Sequence, residues 1–336
     1  MLKGVRRHGH ILSIFAFLTV SALLTGCGSV NSLPDRYALV YGVSDYGGAT
    51  GANFNINDLS LPDDDAADME ALLLSQGYTV TTRTNAEATR AQFEADIASV
   101  AAQAGPNDLV IIYFAGHGFG DGMEEQYSQE LLQFFSGLQS DESDGTSPMD
   151  EHFFFHRTGG SADLTEFVQE QALTDDQMGE LISGIPAERT VVFIDACHSG
   201  GFLNSSGAIE ATPTDYQGSG DGISPGDAAR ALSMYFAGSG GDSDIASDTA
   251  LVMAASGERE FTWEDGSLNN GVFTYFLVEA ATTGDRNGDG YITVSELYSS
   301  TRAAIADYWN TRYTGSAQFL PRTSGRAVDF VLFEAP

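Results

Sequence analysis

The sequence predicts an α/β domain whose central, mostly parallel sheet is covered by helices on both faces. Three observations point there. The runs 109–115 and 191–194 are continuously apolar, as strands buried on both faces must be. Strand-like stretches alternate with helical ones along the chain. Finally, the two apolar runs lead to Gly116-His117-Gly118 and to Cys197-His198-Ser199-Gly200, and open parallel sheets gather their chemistry at the carboxyl ends of strands.

Residues 1–27 stand apart from this pattern. Lys3, Arg6 and Arg7 precede an apolar stretch at 11–24, which is short for a membrane span, and Leu24-Thr25-Gly26-Cys27 follows. That order fits a bacterial lipoprotein signal, with cleavage before a lipidated Cys27 and an exported, membrane-anchored product; an ordinary signal peptide or an uncleaved anchor is the alternative. With Cys27 lipidated, Cys197 is the sole free thiol of a two-cysteine chain, and no intrachain disulfide can form.

Residues 28–35 read as a tether. The elements expected after it are a strand at 37–43, a helix at 64–76 closed by Gly77, a strand at 78–82 and a helix at 88–102. The first helix turns Met69, Leu72 and Leu73 to one face, the second Phe93, Ile97 and Val100. The strand leading to His117 follows. A helix at 174–183, the strand leading to Cys197 and an apolar strand at 250–255 come next. Helices at 272–281 and 294–309 and a last strand at 327–333 complete a domain of 36–333. Two stretches break the rhythm. Residues 119–162 are acidic and carry Phe153-Phe154-Phe155, and read best as a structural insertion. Residues 203–248 are rich in Gly, Ser and Asp, and suit a site wall or a solvated loop equally well.

The chain carries 47 acidic and 15 basic residues, a formal net charge of −32. Lys3, Arg6 and Arg7 belong to the leader, so the 12 basic residues that remain are all arginines. Such a balance argues against nucleic acid and anionic membrane surfaces as partners, and suits solubility in high salt.

Cys197 and His117 each stand at a strand end. An imidazole beside a thiol can hold it as thiolate and later protonate the leaving amine of a peptide. The amides of Gly118 and Cys197 are the expected oxyanion donors. His198 is adjacent to Cys197, but neighbours on extended chain point to opposite sides, so it is the weaker base; His152 and His156 lie in the insertion. A peptide or protein is the substrate these parts imply.

The segment 285–296 matches a 12-residue EF-hand loop. Asp285, Asn287 and Asp289 supply side-chain oxygens, Gly290 the sharp turn, Tyr291 a carbonyl, Thr293 a water-mediated contact and Glu296 the bidentate closure; Ca²⁺ is the implied cofactor, in a structural role.

The motifs Tyr113-Phe114-Ala115-Gly116-His117-Gly118 and Asp195-Ala196-Cys197-His198-Ser199-Gly200 resemble those of the caspase-like peptidases, nearest to the metacaspase and bacterial caspase-domain branch. The likeness extends to 37–42, to Asp64-Asp65-Ala66-Ala67-Asp68-Met69 and to Gly271-Val272-Phe273-Thr274-Tyr275-Phe276. It implies the caspase–haemoglobinase fold, a three-layer α/β/α sandwich, with a Cys197–His117 dyad hydrolysing peptide bonds. In the metacaspase branch the positions of Asp65 and Asp195 line a pocket for Arg or Lys; the alternative is a helix cap at Asp65 and a structural acid at Asp195. Arg230, in the loop after the nucleophile, is the expected self-processing site. The competing function is a non-enzymatic, calcium-binding scaffold of the same fold.

Overall fold

The computed structural model describes residues 34–47, 50–51, 54–55, 58–120, 151–157, 171–196, 250–255, 262–313, 319–325 and 329–336. All belong to the unit Pro34–Pro336. Cys27, Cys197, His198 and Arg230 lie outside the described residues, as do most of the stretches 119–162 and 203–248.

Parallel strands β1 (Arg36–Gly42), β2 (Thr79–Thr84), β3 (Leu109–Gly116), β7 (Arg189–Ala196) and β8 (Leu251–Ala254) form the body of a six-stranded sheet. Strand β10 (Arg322–Gly325) adds antiparallel to β8, giving the order β10-β8-β7-β3-β1-β2. The middle strands are apolar without alternation because both their faces are buried, as β3 is from end to end. The chain leaves β1 toward β2 on one side and returns to β3 on the other. The carboxyl ends of β1 and β3 therefore flank the point where the strand order reverses, the place where such sheets bind ligands.

Helices α1 (Pro62–Ser75), α4 (Val272–Thr283) and α5 (Val294–Ile305) pack on one face through Met69, Leu73, Phe273, Leu277 and Leu297. Helices α2 (Arg90–Gln103) and α3 (Asp175–Ser183) cover the other through Phe93, Ile97, Val100, Met178 and Ile182. The three layers expected from the sequence are thus present. Sequence explains the helix ends well. Pro62 opens α1 and three aspartates follow in its first turn, where the helix dipole favours them. Gly77, at φ +77°, ends the helix: its own N–H bonds Leu74 O and that of Tyr78 bonds Leu73 O, satisfying two orphan carbonyls. Thr174 and Gln177 form a capping box on α3.

Two expectations need correcting. The last strand lies at Val331–Glu334 (β11) and is outside the main sheet; it pairs antiparallel with β9 (Tyr291–Thr293). The sixth sheet strand, β10, was not foreseen. Its Arg-Thr-Ser-Gly sequence has no apolar face because it is an edge strand, which needs no burial on both sides. The ends of the 119–162 stretch are also more than an appendage. Strands β4 (Gly118–Gly120), β5 (Glu151–Phe154) and β6 (Ala172–Thr174) form an antiparallel sheet. Phe153, Phe154 and Phe155 are all fully buried in the same core as Tyr41, Phe93 and Phe114. Burying such a side chain contributes about 1.5–3 kcal/mol. The segment is therefore tied to the sheet just beyond His117.

Candidate active site

The site is assembled at the carboxyl ends of β1, β3 and β7. The parallel register runs Ala115 to Asp195 and Gly116 to Ala196, and His117 is the next residue of its chain. His117 is 7% exposed, held between the end of β3 and the start of β4. Its carbonyl accepts the Phe154 N–H at 3.2 Å. Gly118 then opens β4, opposite Phe153 of β5.

Asp65 and Asp195 are brought together. Asp65 sits in the first turn of α1, and Gly42 lets that helix approach β1: a Cβ on Gly42 would fall 2.2 Å from Pro62 O. Asp195 is the penultimate residue of β7. Both carboxylates converge on Gly271, immediately before α4. A Cβ there would lie 2.6 Å from Asp195 Oδ2 and 2.9 Å from Asp65 Oδ2, so only glycine leaves the space between them open. The amide of Gly271 donates to Asp65 Oδ1 at 2.8 Å. The amide and hydroxyl of Thr274 donate to Asp195 Oδ2 at 3.2 and 2.6 Å. With its hydrogen given to Asp195, Thr274 Oγ1 must accept from Tyr113 Oη, 2.6 Å away. The amino end of α4, whose first amides have no partner within the helix and whose dipole end is positive, is thus what holds two buried acids side by side.

Burial raises the pKa of Asp195 to about 6, against the lowering pull of Thr274 and Thr262. Asp65 is raised well above the usual carboxylate range, first by burial and then by the charge of Asp195; bonds from Gly271 and Asn270 oppose the shift. Among the described residues neither acid has an ion-pair partner. Glu264 lies close by, its pKa also raised by burial, while its Oε1 accepts the N–H groups of Ser60 and Leu61 at 3.2 and 2.9 Å. Glu264, rather than Asp65, thereby covers the amino end of α1: the capping alternative for Asp65 is not what the structure contains.

Sequence reasoning missed Gly271, Thr274 and Glu264 as parts of this site. Thr274 belongs to a stretch whose likeness to the family is visible, but its role depends on contacts with Asp195 and Tyr113, which lie 79 and 161 residues away in the chain. The other two described histidines have partners of their own. His156 Nδ1 donates to Asp45 O at 2.7 Å, and His152 is buried on β5.

The 285–296 loop lies between α4 and α5, flanked by helices as expected. Asp285 accepts the N–H groups of Gly288 and Gly290 at 2.7 and 2.9 Å, Asn287 that of Asp289, and Asp289 that of Tyr291. Gly288 and Gly290 supply φ values of +76° and +87°. Ile292 is buried and pairs with Phe333 of β11, which anchors the loop's second half. These turns and this set of oxygen donors fit a hard cation. Glu296, however, is engaged in a capping box with Thr293 at the start of α5. Among the described residues no three His, Cys, Asp or Glu side chains converge as a metal-binding group. Closure by Glu296 would require it to leave that cap.

Comparison with known proteins completes the picture. No curated protein is similar to this chain in sequence. The crystal structure of protein GSU0716 from Geobacter sulfurreducens superposes with a TM-score of 0.53 at 20% identity, covering 90% of this chain and 98% of that one, a likeness of fold. The family model described as the caspase domain, peptidase family C14, matches residues 35–322. That match spans every strand end and helix start from which the site is built, and the chain belongs to the caspase-domain family.

Proposed function

We propose that the protein is a cysteine endopeptidase that cleaves peptide bonds after Arg or Lys with a Cys197–His117 dyad. The observation that carries this reading is the pair Asp65 and Asp195, held 2.9 and 2.6 Å from one point and left without a described cation. Two buried like charges repel, and a guanidinium or ammonium between them would restore the balance through charge-assisted hydrogen bonds. Membership of a peptidase family makes peptides or proteins the substrates. The thiolate of Cys197 attacks the carbonyl carbon after the basic residue, and the developing oxyanion receives the amides of Gly118 and Cys197. The imidazolium of His117 gives its proton to the leaving amine. Water, deprotonated by His117, then releases the acyl group and restores the thiol. Turnover of Arg and Lys peptides lost in Cys197→Ala tests this; a chain that cleaves nothing would be a scaffold instead.

Two further parts of the reading stand beside this. Ca²⁺ would be held by Asp285, Asn287, Asp289, the Tyr291 carbonyl and Glu296, bracing the α4–α5 connection. Tb³⁺ luminescence sensitised by Tyr291, displaced by Ca²⁺ and weakened in Glu296→Gln, is the expected result. Cys27 would carry the lipid that anchors an exported protein, so Cys27→Ser should move the chain from the detergent to the aqueous phase. Arg230 remains the proposed processing site, to be read from whether the new fragment begins at Ala231.

A further inference from the structure

Tyr46 lies in the loop 43–47 after β1, and its chemistry is not used in the reading above. It is fully buried. Its hydroxyl oxygen accepts the backbone N–H of His117 at 2.6 Å, and its ring centroid lies 4.8 Å from that of the imidazole, the planes inclined by 40°. Gly116 makes this approach possible, since a Cβ there would fall 2.8 Å from Tyr46 Oη. One side chain therefore grips the histidine twice, at its main chain and across one face of its ring.

The loop that presents Tyr46 is itself held from several directions. Val43 N–H bonds Ala115 O, and Ser44 O accepts the Leu59 N–H, both at 2.9 Å. Asn85, in the left-handed region at φ +47°, accepts the N–H groups of Ser44 and Asp45 on its Oδ1 at 2.9 and 2.8 Å. Tyr46 N–H bonds Asp58 Oδ1 at 3.0 Å, and Asp45 O takes the His156 donor. Gly47, at φ +69°, closes the turn against Arg157 O, where a Cβ would come within 2.7 Å. A loop anchored to this extent is a support, because catalytic groups need their rotamers fixed by packing and hydrogen bonds from behind.

We propose that Tyr46 is the positioning residue of His117: its phenol fixes the histidine's main chain and its ring limits the imidazole to the rotamers that face the thiol. The inference rests on the reading of His117 as the partner of Cys197.

The test follows the rate at which iodoacetamide alkylates Cys197 in the full-length protein, read from the peptide that bears it, near neutral pH. His117→Ala, Tyr46→Phe, Tyr46→Leu and the two double variants with His117→Ala complete the set. His117→Ala should slow alkylation, since the imidazole no longer holds the thiolate. Tyr46→Phe should slow it roughly tenfold and Tyr46→Leu further, as misplacement of a catalytic group by a fraction of an ångström does. In the His117→Ala background neither change at Tyr46 should have any further effect. Equal slowing with and without His117 would overturn the proposal, as would a Tyr46→Phe rate equal to wild type when His117→Ala is slow. A His117→Ala rate equal to wild type would remove the dyad itself and the proposal with it. Tyr46→Phe keeps the ring and the packing, so the experiment survives a Tyr46→Leu chain that does not fold.

Discussion

At the scale of the residue, the chemistry depends on keeping acids where acids are costly. Asp65 and Asp195 are 2% and 7% exposed, and their proximity is tolerated because Gly271 and Thr274 donate to them. With Asp195 raised to about 6 from the usual range near 4, the folded state binds its proton more tightly than the unfolded chain does. The stability it contributes is present below the unfolded value and is lost as pH rises through about 6. Under the proposed function substrate binding runs the other way, because a basic side chain would need the ionised pair. The expected result is a KM for Arg peptides that climbs as pH falls through that window. Asp195→Asn, compared by thermal melts across the same window, should flatten the stability change. A KM for Arg peptides that stays constant through the window would contradict the assignment. Gly271→Ala gives a steric test. The backbone there, at φ −56° and ψ 138°, accepts alanine without strain, so the effect comes from the methyl group between the carboxylates. We expect kcat/KM for Arg peptides to drop at least roughly tenfold, by the loss of an ion-pair geometry worth more than about 1.4 kcal/mol.

At the scale of the element, what could be read in the sequence and what could not divide along physical lines. Strands β3 and β7 were legible because their middles are buried on both faces, which leaves unbroken apolar runs at 109–115 and 191–194. His117 and Asp195 were legible because they stand at or beside the ends of those strands. Helix α1 was legible from the spacing of Met69, Leu72 and Leu73 and from Gly77, although it starts at Pro62, two residues before the expected start. Tyr46 was not, because an aromatic residue in a loop carries no period and its partner is 71 residues away. Strand β10 was not, because an edge strand carries no apolar signature. The amino end of α4 was only half legible: the helix was expected, but its part in holding Asp65 and Asp195 arises from sheet and helix meeting in space. That role has its own consequence. Thr274→Val keeps the shape but removes the hydroxyl that bonds Asp195 and accepts from Tyr113. Losing a buried bond to a charged group costs about 1.5–3 kcal/mol, which a denaturant titration would read as a lowered midpoint. Unchanged stability would mean that the Tyr113–Thr274–Asp195 chain is not held as described.

At the scale of the whole molecule, a caspase-domain sheet carries a surface of strongly negative charge. With a formal net charge of −32 the folded chain repels itself, and salt screens that repulsion over about 10 Å at 0.1 M. The melting temperature should therefore rise with NaCl, and a melting temperature that falls or stays level would show that the charge is balanced locally. The same charge favours an approaching basic peptide, and under the proposed function the buried Asp65–Asp195 pair would be part of that attraction. Among the described residues no helix is long and apolar enough to cross a membrane. The account's central claim is that a thiol at Cys197, served by His117, cleaves beside a basic residue held by two acids. It is tested most directly by hydrolysis of matched fluorogenic peptides ending in Arg, Lys or Asp, with wild type, Cys197→Ala and Asp195→Asn. The account predicts turnover of the Arg and Lys peptides by wild type, none by Cys197→Ala, and a strongly reduced kcat/KM with Asp195→Asn. Cleavage of the Asp peptide in preference to the other two, or turnover that persists in Cys197→Ala, would contradict it.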